Sequence, residues 1–247
     1  MLKWKSAAGQ APIWQEMTGG KDPELVVEQT VGLDPDFDIY WIQPRKFILN
    51  PIELEKISLD ETPIGDRSYK NALRLARNGL WSPAFPLIEP LRKNLIDKSK
   101  WSKKAQAQFD LIKFHANITE AQAIASWASP SQKVLAGLID GRWQESLNVF
   151  ENNWSSTYDI AKLLQNDTGR IRKRVDATIK VNRGEINAIA WGTLIIASQK
   201  GRRRAMLWLN RKPKTSKEAK ERIEKLLDKL DAAFAEEENI QRHKIQR

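Results

Sequence analysis

The chain has 247 residues, of which 41% are apolar and 29% charged, an ordinary globular composition with length for one or two domains. It contains no cysteine, which excludes disulfides, thiolate zinc or iron–sulfur sites and a cysteine nucleophile. The formal net charge of +10 is gathered in one place: residues 170–220 carry 15 Lys and Arg against 3 Asp and Glu, while residues 1–169 and 221–247 each come to −1. A field clustered in this way attracts an acidic partner, where a scattered one mainly aids solubility.

In chain order, Met1-Leu-Lys-Trp-Lys-Ser-Ala-Ala-Gly9 has two lysines but no apolar core, so it does not read as a signal peptide. No apolar run approaches the roughly 18–20 residues needed to span a bilayer. The expectation is a soluble chain of the cytoplasm, or a membrane-associated one if an anchor precedes Met1. Residues 1–62 hold Gly19-Gly20, Pro23, Pro35, Pro44 and Pro51 and show little helical period. Phe37, Ile39 and Trp41 alternate with Asp38, Tyr40 and Ile42, a strand-like pattern that Pro44 and Pro51 keep short. This segment is read as an extended, irregular N-terminal arm with one hairpin at most.

Helical signals become regular from Asp66. Arg67–Asn78 places Tyr69, Leu73 and Ala76 on one face and ends before Gly79. Trp81-Ser82-Pro83 opens the next helix, which Pro86 and Pro90 shorten or kink. Lys100–Ala116 carries Trp101, Ala105, Phe109, Ile112 and Ala116 at helical spacing, and Thr119 is read as the cap of a further helix over Glu120–Ala128. Ser129-Pro130 starts a helix that ends at Asp140-Gly141, and Trp143–Asn152 follows. Ser156-Thr-Tyr-Asp159 has the form of a capping box and starts a helix to about Gln165. Then come Arg170–Val181, Ile186–Gln199 and Arg202–Asn210. Thr215-Ser-Lys-Glu218 is a second capping box, and Ile223, Leu226, Leu227, Leu230 and Phe234 make an apolar stripe behind it. The tail after Glu236-Glu237-Glu238 is expected to fray.

Three segments share a shape. Leu75–Ala84 contains Gly79, Leu138–Leu147 contains Gly141, and Ile196–Ala205 contains Gly201. In each, glycine ends one helix and a small residue (Ala84, Ser146 or Ala205) lies one turn into the next, where it lets the paired helix approach. The core Gly141-x-Trp143-x-x-Ser146-x-x-x-Phe150 resembles the tetratricopeptide-type Gly-x-Tyr-x-x-Ala-x-x-x-Phe pattern. Ser146 replaces the usual Ala, Arg183 stands where Pro is usual, and the third copy is one residue short. The resemblance covers residues 66–210 and implies a short solenoid of stacked hairpins with a binding groove. The run Ser126-Trp-Ala-Ser-Pro-Ser131 through Trp143 also resembles helical proteins of cyanobacteria. The expected fold is therefore all-α: an arm over 1–62, a tetratricopeptide-like hairpin domain over 63–212, and an amphipathic capping helix over 213–247.

The candidate binding residues are Arg170, Arg172, Lys173 and Arg174 on one helical turn, Arg202, Arg203 and Arg204 after Gly201, and Arg211 and Lys212 before Pro213. Such clustering suits an acidic protein surface, an anionic membrane or nucleic acid, with Trp191 or Trp208 available to stack on bases if exposed. Trp81, Trp101, Trp127, Trp143, Trp191 and Trp208 fall on apolar helical faces and are read first as core.

Catalytic and metal signatures fail on their particulars. Asp34-Pro-Asp36-Phe-Asp38 has Ile39 where a calcium loop needs Gly and Arg45 where it needs Glu. Thr18-Gly-Gly-Lys21 lacks the upstream Gly of a phosphate loop, and Asp22 replaces its Ser or Thr. His115 and His243 are the two histidines, and neither has a carboxylate at ligand spacing. Glu89, Asp110 and Asp140 show no pairing. The reading is a non-catalytic scaffold or assembly factor, with no cofactor, metal or small-molecule substrate, that grips an acidic protein partner. The alternative is a peripheral binder of an anionic membrane surface or nucleic acid through residues 170–220.

Overall fold

Leu25-Val26-Val27 and the stretch from Phe37 to Ile42 are rich in β-branched and aromatic residues, and these build strands. The computed structural model describes residues 9–17, 23–30, 32–44, 52–94, 101–212 and 215–245. Where an irregular arm was expected, four strands form one antiparallel sheet in the order β1 (Ile13–Gln15), β2 (Glu24–Glu28), β3 (Phe37–Pro44) and β4 (Ile52–Lys56). Val26 pairs with Ile39 at the centre of the sheet, and Leu25, Val26, Val27 and Ile39 are all buried. Pro44 does not keep its strand short or at an edge: β3 is an inner strand of eight residues, and Pro44 is accommodated at its last position, paired with Ile52. The Thr18–Lys21 and Gly19-Gly20 readings, Arg45, Pro51, Lys100 and Pro213 lie outside the described residues.

The chain divides into two compact units, one up to Gln122 and one from Ala123. The first holds the sheet with α1 (Arg67–Ala76), α2 (Trp81–Asn94) and nearly all of α3 (Lys103–Ile124). Asp66 caps α1, accepting from the backbone of Ser68 and Tyr69 at 2.7 and 3.1 Å. Gly79 then turns the chain at φ 74° into α2, which runs on past Pro86 and Pro90 to Asn94. Thr119 is not the cap it resembled. It lies inside α3, where its Oγ1 donates to Ala116 O and meets Ser82 Oγ of α2 at 3.0 Å. A threonine that can bond back into its own helix and across to a neighbour has no need to end one. Gln108 of α3 accepts from the Tyr69 hydroxyl at 2.5 Å and donates to the carbonyls of Ser58 and Glu61, fixing the segment that follows β4.

The second unit holds α4 (Pro130–Asp140), α5 (Trp143–Asn152), α6 (Thr157–Gln165), α7 (Arg170–Val181), α8 (Ile186–Lys200), α9 (Arg202–Asn210) and α10 (Lys217–Ile245). Ser129 caps α4 with Pro130 at its first position, and Gly141 closes it in the left-handed region at φ 81°, ψ 20°. Gly201 is different. Its φ of 82° and ψ of 158° form a backbone that glycine alone adopts readily, and it ends α8 and begins α9 at one residue, which is why the third copy is shorter. Ser156 makes no side-chain cap for α6. For α10 the cap is Ser216, whose Oγ accepts from Ala219 N at 3.2 Å, one residue later than the box suggested. α10 runs as helix through Glu236-Glu237-Glu238 to Ile245.

The close approaches belong to the hairpins. A Cβ on Gly137 of α4 would run into Ser146 of α5, and one on Gly192 of α8 would stand 2.6 Å from the Trp208 ring of α9. Yet the unit is not a simple open solenoid. α8 touches α5, α6, α7, α9 and α10, and Ala188–Ile195 is buried without a break. A helix apolar on all sides lies at the centre of a bundle, whereas hairpins of an open array touch only their neighbours. At its middle, Trp191 is fully buried and donates to Trp143 O of α5 at 3.0 Å. α10 lays Ile223, Leu226, Leu227 and Leu230 over this core.

Candidate functional site

The basic residues that cluster in sequence divide into four environments. Asp167 sets the first helix of the site: its two carboxylate oxygens accept from the backbone of Ile171 and Arg172 at 3.1 and 3.2 Å, opposite the positive end of α7. From there Arg170 and Lys173 point to solvent and Arg174 is buried. Arg174 therefore serves the interior, where it has further contacts.

Arg172 and Lys212 share one aromatic ring. The Arg172 guanidinium lies 4.6 Å and the Lys212 ammonium 4.0 Å from the centroid of Trp208. Arg172 also bonds Asp176 at 3.2 Å and Gly192 O at 3.3 Å. Trp208 is half-buried, its far edge resting on Gly192, so the ring is held by the α8 backbone from beneath. Burial lowers the Lys212 pKa; Asp176 opposes this and the Arg172 cation adds to it.

Arg202 turns toward α10, where it meets Asp228 and Asp231 at 2.8 Å each. The bond to Asp231 leads the causes that raise its pKa. Arg203, Arg204 and Arg211 are exposed, and none of them makes an ion pair among the described residues. Leu207 stands between them on the outer face of α9, 54% exposed, while Ala205 and Leu209 face inward. Sequence reading grouped all nine cations alike. The acids that engage Arg202 lie 26 and 29 residues further on, beyond the reach of local pattern. It also passed over Leu207, whose signal was its place off the Ala205–Leu209 stripe.

The first unit holds buried ionisable groups of its own. His115 of α3 stacks on Trp81 at 4.0 Å between centroids and meets Phe37 and Phe114 edge-on. Its Nδ1 lies 3.0 Å from Leu111 O, Nε2 has no hydrogen-bond partner among the described residues, and burial lowers its pKa to about 4. It is part of the core of the first unit, fully buried. Asp110 is raised to about 6, first by burial, with a bond from Gln106 and the charges of Arg92 and Lys113 opposing and Glu24 adding. Asp140 binds Arg142 Nε at 2.8 Å, and Glu89 binds Lys93 at 3.0 Å. His243 meets Asn239 O one turn back on α10.

Among the described residues no group of three or more His, Asp or Glu could hold a metal ion, and no helix is long and apolar enough to cross a membrane. Comparison of the chain with protein-family models, curated proteins and solved structures finds no match.

Proposed function

We propose that this chain is a non-catalytic adaptor or assembly factor that docks an acidic protein partner on the α7–α9 face of its second unit. The observation that carries the reading is a set of exposed cations on α9 and its C-cap that make no ion pair among the described residues. Arg203, Arg204 and Arg211 stay exposed beside a tryptophan already bracketed by Arg172 and Lys212, although the chain places acids within reach of the adjacent Arg202. Cations needed only for the fold would find such partners; cations left in water are free to steer and bind an acidic surface. In this reading the α4–α5 and α8–α9 pairs are degenerate tetratricopeptide-like hairpins, folded round α8 rather than strung in an open array. Support comes from the positive-φ glycines at 141 and 201 and the buried small residues Ser146 and Ala205.

The test is affinity purification from a nuclease-treated native lysate with the wild type and a triple variant, Arg203→Glu, Arg204→Glu and Arg211→Glu. A defined protein recovered with the wild type and lost with the variant supports docking. Recovery of lipid or nucleic acid alone replaces it with the peripheral-binder reading.

A further inference from the structure

Single exposed leucines are common on protein surfaces and mean nothing alone. Leu207 differs in its surroundings. Arg203 and Arg204 lie four and three residues before it on the same side of α9, and Arg211 follows four residues after it as the helix's C-cap. Each is exposed, and Trp208 beside them is half-exposed. The result is an apolar knob framed by guanidinium groups over two helical turns, roughly 12 Å along the axis.

That frame selects among anionic partners. A nucleic-acid site would offer an open aromatic face for a base, but Trp208 already carries Arg172 and Lys212 on its ring. A membrane site would present a broad apolar face, but α9 is nine residues long and its other large apolar side chains face inward or are half-buried. A polypeptide can match both parts: carboxylates for the arginines and one apolar side chain for the leucine.

We infer that Leu207 and its three arginines form a docking site for an acidic amphipathic segment of a partner protein, one that carries an apolar residue flanked on each side by a carboxylate. On a partner helix the matching pattern is Glu four residues before and four after a central Leu, the mirror of the α9 spacing. Leu207 supplies the contact that tells such a segment from any other polyanion, and the arginines supply attraction and register. The inference rests on the acidic-partner reading and adds to it the identity of the anchor.

The probe is a fluorescein-labelled helical peptide of about 18 residues with that pattern, long enough to hold a helix. A second peptide has Gln for each Glu. Phosphatidylserine vesicles and a duplex DNA oligomer serve as competing anions. Binding is read by anisotropy for the wild type, Leu207→Ser, Leu207→Met and the triple Arg→Glu variant, each first checked for wild-type helicity by circular dichroism. The expected result is binding of the Glu peptide and not the Gln peptide. It weakens about tenfold in Leu207→Ser, survives in Leu207→Met and is lost in the triple variant. If Leu207→Ser binds as wild type while the triple variant does not, the anchor is overturned and the acidic-partner reading stands. If the Glu peptide does not bind at all, or binds every variant alike, both are overturned. Vesicles or DNA that bind the wild type in place of the peptide overturn both in favour of the polyanion concerned.

Discussion

The two units tie their elements together by different polar contacts, although each buries charged as well as neutral side chains, Glu24 and Asp110 in the first and Asp140 and Arg174 in the second. In the first, the ties are mostly neutral: Tyr69 donates to Gln108, which donates to nearby carbonyls, Thr119 meets Ser82, and His115 stacks on Trp81. In the second, charged side chains also bridge helix ends and seams. Lys229 of α10 donates to the carbonyls of Phe150 and Glu151 at 2.6 and 2.8 Å, filling the open end of α5, and Arg222 binds Glu151 beside it. Arg202 joins α9 to α10 in the same manner. A neutral interior responds to pH, because titration forces a charge into it. Ionic seams respond to salt, because they are partly wet.

The comparison is broken most forcefully at the aromatic centre of the second unit. Trp191→Ala is expected to cost about 3–5 kcal/mol, since it leaves a cavity at the middle of α8 and strands Trp143 O. Urea unfolding followed by far-UV circular dichroism measures it.

Next comes the pH response of the first unit. The folded pKa of His115 lies near 4, below the ordinary value of 6.5, so the fold favours the neutral ring. Its contribution is complete above about pH 6.5, falls as the unfolded chain takes up the proton, and has lost about 3 kcal/mol by pH 4. His115→Phe keeps an aromatic ring beside Trp81 and removes that loss. Parallel urea titrations from pH 7 to pH 4 compare the slopes, and equal slopes would refute the assignment.

The ionic seams give smaller effects. Lys229→Met keeps the stem but strands the α5 carbonyls, and about 1–2 kcal/mol of stability is expected to go with the ammonium. Burial holds the Lys229 pKa below its usual value, so the fold disfavours the charged form and this group's contribution to stability rises as pH climbs through that lowered pKa toward the unfolded value. Arg202→Gln is the mildest. Its ion pairs are partly exposed, so about 0.5–1 kcal/mol is expected, most of it absent at high salt. Thermal melts of this variant and the wild type at low and high sodium chloride make the check.

Sequence reached as far as local chemistry reaches. The helices over 143–152, 170–181 and 202–210 begin where expected because their turns are set within a few residues, by Gly141, Asp167 and Gly201. Thr119 defeated the same logic because its role depends on Ser82, 37 residues earlier. The sheet was missed as a sheet because its edge strands are short, three and five residues, and only β3 shows a long alternation. The central place of α8 was legible in principle, since Ala188 to Ile195 is nearly all apolar, but hairpin spacing alone speaks of neighbours in sequence. Of the site, the charge cluster was legible and its division was not. Arg174 turns inward by the phase of α7, and Arg202 is claimed by acids of the last helix.

The position of α10 in the chain sets an order on synthesis. α8 leaves the ribosome with its apolar surface complete, but the residues that cover one side of it, Leu226, Leu227 and Leu230, are translated later. Until they emerge, the centre of the second unit stays open to water and to other nascent chains, which is the condition under which partly made domains aggregate or recruit chaperones. The helix that supplies this cover begins at the Ser216 cap, whose Oγ accepts from Ala219 N.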